Sequence, residues 1–279
     1  MFYKIFRKKI PVPGNNSLPS SIKSENQKIE RNIKTTKKMK KSVLTLAILA
    51  TVAVTMASFT KGGGDDNETK VIEITFVDHL TAGFIEPDVF VEKEAGSGQV
   101  YRLNPTEKAK YMNAPVYSSK VPHHHDPFDQ AKAGPYEKGT ELDMTLAEWL
   151  KGSGTASYTC EDGWGHFKAE FRNLAPNSVY TMWHFFMSAP PTTPFNGTLD
   201  IPLGDRSGEQ SVFKTDANGN ASLDIRFETC LQLTDDQLMA GVAVALHSDG
   251  KTYGGVPGEF GTVTHVQLFA MLPNADDYR

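Results

Sequence analysis

Eight histidines are the residues of this chain best suited to chemistry, and all of them lie beyond residue 78. Imidazole is the commonest protein ligand for transition metals and suits zinc and copper in particular. The sharpest local feature is the run Val121-Pro122-His123-His124-His125-Asp126-Pro127-Phe128. Its two prolines stiffen the edges of the segment, so alternate residues His123 and His125 can point the same way, with Asp126 beside them as an oxygen ligand or orienting partner. The competing reading is a solvated histidine-rich loop that titrates near neutrality. His247 and His265 make a second pair. His247 ends the apolar stretch 241–246 and His265 stands near the start of another at 263–272. If those stretches are antiparallel neighbours, both imidazoles fall at the same end of one sheet, beside the glycine-rich segment 250–261, where Asp249 and Glu259 can join them. The alternative is that His265 only pins this long loop through ordinary hydrogen bonds. His184 lies in a segment apolar on both faces and reads as a satisfied core residue.

Other routes to catalysis find little support. The chain has no Gly-x-Ser-x-Gly elbow, no His-Glu-x-x-His helix, no phosphate loop and no dinucleotide fingerprint. Its two cysteines, Cys160 and Cys230, are expected to form one disulfide, which leaves no obvious thiol nucleophile.

The elements that must position these residues are mostly strands. Period-two alternation is clean at 72–76, 166–171 and 222–227. Further strands are expected at 89–92, 99–103, 155–160, 178–187, 211–215, 241–247 and 263–272. About ten strands predict an antiparallel β-sandwich, Greek-key-like, with a few short helices. Helix starts are marked by Asn104-Pro105-Thr106-Glu107, by the capping box Thr145-Leu146-Ala147-Glu148, and by a second box at Thr234-Asp235-Asp236-Gln237. Asp216-Ala217-Asn218-Gly219-Asn220 predicts a tight hairpin turn. Residues 112–139 read as a long loop. Trp149 and Trp183 are expected in the core, and Trp164, between two glycines, on the surface.

Charge and hydropathy divide the chain. Residues 1–41 carry a net charge of +10 and the remainder −14. So acidic a body repels phosphate backbones, which argues against nucleic acid as a partner and leaves a metal ion or small ligand. Met39-Lys40-Lys41 followed by an apolar run at 43–56 and small residues at Thr55 and Ala57 has the order of a signal peptide, with cleavage after Ala57. The run is shorter than a spanning helix needs, and a membrane association is expected only if this segment stays uncleaved. The resulting division is an upstream segment at 1–38, disordered or preceding the true start, a signal peptide at 39–57, a flexible linker at 58–70 and one β-sandwich domain at 71–279. The expected location is secreted or periplasmic.

At 174–184, and at His247-Ser248-Asp249-Gly250, Gly254-Gly255-Val256-Pro257-Gly258 and His265-Val266-Gln267-Leu268-Phe269, the chain resembles a family of secreted bacterial and archaeal β-rich proteins without an assigned activity. The resemblance implies export and a β-rich fold and assigns no catalytic residue. The expected function is a secreted protein that binds a ligand or a metal, with His123, His125, Asp126, His247 and His265 as candidate metal ligands. The rival is a copper- or zinc-dependent enzyme, an oxidoreductase among the options, using the same histidines.

Overall fold

The computed structural model describes residues 70–123, 130–188, 199–231, 233–235 and 237–272. The upstream segment, the signal segment, the linker up to residue 69, and His124, His125 and Asp126 lie outside the described residues. Thirteen strands run through the described chain: β1 (Val71–Thr75), β2 (Phe90–Glu92), β3 (Gln99–Tyr101), β4 (Pro115–Ser119), β5 (Tyr136–Thr145), β6 (Ser153–Glu161), β7 (Trp164–Arg172), β8 (Val179–Ser188), β9 (Leu199–Pro202), β10 (Val212–Lys214), β11 (Ala221–Glu228), β12 (Gln237–His247) and β13 (Thr264–Met271). All strand pairs are antiparallel. The fold is mostly β and matches the expected sandwich.

The first sheet has the order β1-β6-β7-β11, and the second has β10-β8-β12-β13 with β9 paired to the far half of β8. Short strands β2, β3, β5 and β4 close into a small barrel. The two large sheets share one core, in which Tyr158, Phe167 and Phe171 of the first meet Tyr180, Met182, Val244 and Leu268 of the second. Phe213 stacks across it on Phe171 with centroids 5.2 Å apart and, within its own sheet, on Tyr180 at 5.6 Å. Period-two burial is strict in β1, β7 and β11, as a sheet with one solvated face requires. In β13 the first seven residues are all buried. Its second face is covered by a smaller cluster built on Trp183, Ala243, Ala245, Val266 and Phe269, against which Val77, Ala82 and Phe84 pack.

Cys160 and Cys230 form the expected disulfide, with Cα atoms 5.6 Å apart. The bridge closes a loop of 70 residues and is worth about 3–4 kcal/mol in the chain-entropy account. Asn104 opens a 3-10 turn at Pro105–Lys110, and the Thr145–Glu148 capping box opens the single-turn helix α1 (Leu146–Trp149).

Three expectations are corrected. Thr234 starts a turn that leads directly into β12, because Gln237 is the first residue of that strand and its side chain accepts from the Thr234 amide instead of extending a helix. The Asp216–Asn220 turn joins β10 to β11, which belong to different sheets, so it is a crossover and not a hairpin. The Asp216 carboxylate holds it by accepting from the amides of Asn218 and Asn220, both at 2.8 Å. The long loop at 112–139 contains β4 and the start of β5. Among the described residues no helix is long and apolar enough to cross a membrane.

Candidate functional site

None of the buried polar or charged residues lies in β1, β6, β7 or β11. Those at the end of the second sheet form a connected set. In the β12–β13 pairing, Leu246 faces His265 and His247 faces Thr264. Directly opposed residues share a face, so the two histidines are neighbours on opposite faces of the sheet. Each ring has its own partners. His247 Nε2 lies 2.7 Å from the Thr181 hydroxyl, which also accepts the Trp183 indole N–H at 2.7 Å. His247 Nδ1 lies 3.5 Å from the Thr264 hydroxyl. His265 donates from Nδ1 to the Asp88 carbonyl at 2.9 Å, and its Nε2 lies 2.9 Å from the Ser248 hydroxyl. The strands are antiparallel neighbours and both histidines sit at the same end, as expected. The convergence of the two imidazoles does not follow, because the register turns them apart.

Burial is the largest influence on both rings. It pushes His247 down to about 4 against the opposing pull of Asp249, with His265 adding to the fall. His265 is also lowered by burial, while its bond to the Asp88 carbonyl and the carboxylates of Asp88 and Asp249 work to raise it. Asp88 accepts the Val266 amide at 2.8 Å, and its own amide lies 3.4 Å from Glu86 Oε1. Glu86 is held well above the ordinary carboxylate range, first by burial and then by the charge of Asp88. A register shift between Val244 and Ala245 leaves Gln267 as an extra residue in β13. The Gln267 amide accepts the Tyr180 hydroxyl at 2.6 Å and donates to the Trp149 carbonyl at 2.8 Å.

His123 is placed against the end of the segment 250–261, beside Phe260 and Gly261. Its Nε2 lies 2.9 Å from the Ser119 hydroxyl, and its ring packs on Phe90 and Tyr136 with centroids 5.1 Å and 4.3 Å away. Its amide donates to the Phe260 carbonyl at 3.0 Å. Among the described residues, no group of three His, Cys, Asp or Glu side chains is arranged to hold a metal ion. His184 differs from the expected satisfied core histidine: its Nε2 is buried with no hydrogen-bond partner, and burial pushes the ring down to about 4.

A second place is concave. On the outer face of the second sheet a pocket with a cavity volume of about 80 Å³ is lined by Phe185, Met187, Met239, Ala243, Phe269 and Met271, with His79, Phe84 and Ile85 also contributing. Of the small residues in the middle strand, Ala243 lines the pocket and the neighbouring Gly241 makes room for the Phe185 ring in its wall. Gly241 pairs with Phe185 on one side and Met271 on the other, and a Cβ there would meet the Phe185 ring at 2.4 Å. Ala243, one pleat along, pairs with Trp183 and Phe269. His79 stacks on Phe269 at 4.7 Å between centroids, and Asp200 supplies a carboxylate to the lining. Three methionines line the pocket: Met239 pairs with Met187, and Met271 pairs with Gly241. Thioethers with an imidazole are soft donors that suit cuprous copper better than zinc. Sequence reading missed this pocket, since its residues come from four strands and a loop. The available signal was the Gly241-x-Ala243-x-Ala245 spacing, which leaves one face of an apolar strand bare.

Fold and site together define an antiparallel β-sandwich protein with an apolar pocket on the outer face of one sheet and a buried histidine–carboxylate set at that sheet's end. No family model matches this chain, and no curated protein matches it.

Proposed function

We propose that this is an exported small-ligand-binding protein whose site is the apolar pocket over Ala243. The observation that carries this reading is the pocket: a concave, mainly apolar lining with His79 and Asp200 as polar groups is the ordinary composition of a small-molecule site. Export is supported by the signal-like order of residues 39–57 and by the disulfide, which persists in oxidising compartments. The acidic body favours neutral or cationic ligands over anions. An apolar fluorophore such as anilinonaphthalene sulfonate, and an uncharged analogue, test the site. Binding to the folded protein that is lost in Ala243→Phe supports it, and equal binding by both proteins removes the pocket from consideration. Amino-terminal sequencing of the exported form is expected to start at or near Ser58.

A second reading, binding of copper, is favoured by Met187, Met239, Met271 and His79 lining one pocket. Competition for cuprous ion against a chromophoric chelator, with Met239→Leu as the contrast, decides it. Leu keeps the volume and removes the sulfur, so copper binding falls while fluorophore binding survives.

A further inference from the structure

At the end of the second sheet a buried imidazole meets an exposed hydroxyl. His265 is fully buried, Ser248 is exposed, and the two are joined at 2.9 Å. The Asp88 carbonyl accepts from His265 Nδ1, which fixes the tautomer and leaves Nε2 as the lone-pair nitrogen facing the serine. Among the described residues, the other acceptor that the hydroxyl reaches is the Val263 carbonyl, further away at 3.4 Å. An imidazolium formed here is stabilised by the carboxylates of Asp88 and Asp249. The backbone N–H of Asp249, next along the chain, makes no hydrogen bond among the described residues. That is the position from which serine acyl-transfer sites draw an oxyanion donor. The turn after β12 thus brings a hydroxyl, with an adjacent amide N–H, to a base that β13 supplies and Asp88 orients.

We propose that Ser248 is a nucleophile activated by His265, and that this end of the sandwich carries out acyl transfer on carboxylic esters. The hydroxyl attacks the ester carbonyl, an Oγ–C bond forms, and the hydroxyl proton passes to His265 Nε2. Collapse of the tetrahedral adduct breaks the C–O bond, and the leaving alcohol takes the proton from the imidazolium. Water, deprotonated by the same nitrogen, then releases the carboxylic acid and restores the serine. Asp88 is a positioning residue acting through the imidazole. The apolar pocket is not required, so this activity and ligand binding stand or fall separately.

The test is labelling of the exported chain with an alkyl fluorophosphonate, read by peptide mass spectrometry. An adduct on Ser248 is expected, with fluoride as leaving group. Ser248→Ala abolishes it, and His265→Gln lowers its rate by about 100-fold or more, the usual contribution of a general base. No adduct at Ser248 in the folded protein overturns the proposal, as does undiminished labelling of folded His265→Gln. Because His265 is buried and its variant can fail to fold, Ser248→Cys gives an independent reading. Among the described residues the chain has no free cysteine, so iodoacetamide at pH 6 reports the introduced thiol alone. Alkylation about 10-fold faster than a free cysteine is expected for a histidine-paired thiol. Alkylation at the free-cysteine rate overturns the proposal.

Discussion

The two large sheets share a core and differ on their outer faces. The strands of the first sheet, β1, β6, β7 and β11, put apolar residues inward and leave Lys168, Glu170, Arg172, Asp224 and Arg226 to solvent. Its outer pairs, such as His166 with Asp224 at 2.7 Å, are exposed and of small energetic weight. The central strands of the second sheet are covered on both faces; the second covering holds the pocket, and the buried polar groups sit at the end of the sheet, His247 on one face and His265 on the other. A sheet with one buried face is a wall, while a sheet covered twice has room for sites between its strands and the segment laid over it. The segment 78–88 supplies part of that cover, placing Phe84 against the pocket cluster, and continues to the sheet end, where the Asp88 carbonyl meets His265.

The largest expected effect lies on the wall. Phe167 is fully buried between the sheets, and Phe167→Ala is expected to cost about 3–5 kcal/mol through lost burial and the cavity left behind. Denaturant titration measures it. If the wall is only structural, pocket binding by the folded fraction is unchanged, and a shifted ligand affinity would break the division between the sheets.

Next in size is Gly241→Ala in the covered sheet. The added Cβ would meet the Phe185 ring at 2.4 Å and the Ala270 carbonyl at 2.5 Å, so either the ring or the β12–β13 pairing must move. Such overpacking is expected to cost about 1–3 kcal/mol. Here fluorophore binding is expected to fall as well, because Phe185 moves within the pocket wall.

How legible each region is in the sequence follows the same division. β1, β7 and β11 stand out because one face of each is wet, and alternation records that directly. β12 and β13 are recognisable as apolar runs, yet nothing in such a run says what covers the second face. β4, β5 and β9 escape notice because they are short or half exposed, and the mixed burial of β5 follows no period. The position of His247 and His265 at one sheet end follows from the hairpin order of their strands. Their opposite orientation does not, since it depends on a register that only pairing with β8 and the Gln267 bulge settle. Ser248 carries no local signal as a nucleophile. Its partner is 17 residues away, and the group behind that partner is a backbone carbonyl 177 residues away.

Acid should separate the sheets as well. His184 and His247 titrate near 4 in the fold, below the ordinary imidazole value of 6.5, and His265 is lowered too. The unfolded chain therefore binds more protons between about pH 6.5 and 4, and stability is full above that window and declines as pH falls through it. Glu86, raised by burial, has the opposite sign: its contribution is complete at low pH and lost as pH rises. With three histidines against one carboxyl, a net fall is expected in denaturant midpoints from pH 7.5 to 4.5. Glu86→Gln removes the opposing contribution and should steepen the decline. A flat profile in both proteins would mean that the covered sheet is wetter than its geometry implies.

The smallest effect is expected at Trp164, on the open face of the wall. The indole is 50% exposed, at the first position of β7 opposite Glu161 and Glu228, with Gly163 and Gly165 on either side. An exposed side chain away from caps, cavities and buried polar groups changes stability by less than about 0.5 kcal/mol when replaced, so Trp164→Phe should leave the unfolding midpoint in place. Its use is optical. Trp149 and Trp183 are buried, and Trp183 belongs to the cluster that includes Ala243, Val266 and Phe269 of the pocket lining. In Trp164→Phe the red-shifted, solvent-exposed part of the emission should disappear, leaving a blue-shifted band from the two buried indoles. Ligand entering the pocket should then perturb a larger fraction of the remaining signal through Trp183. An emission maximum that stays red after the substitution would place a buried indole in water and undo the contrast between the open and the covered sheet.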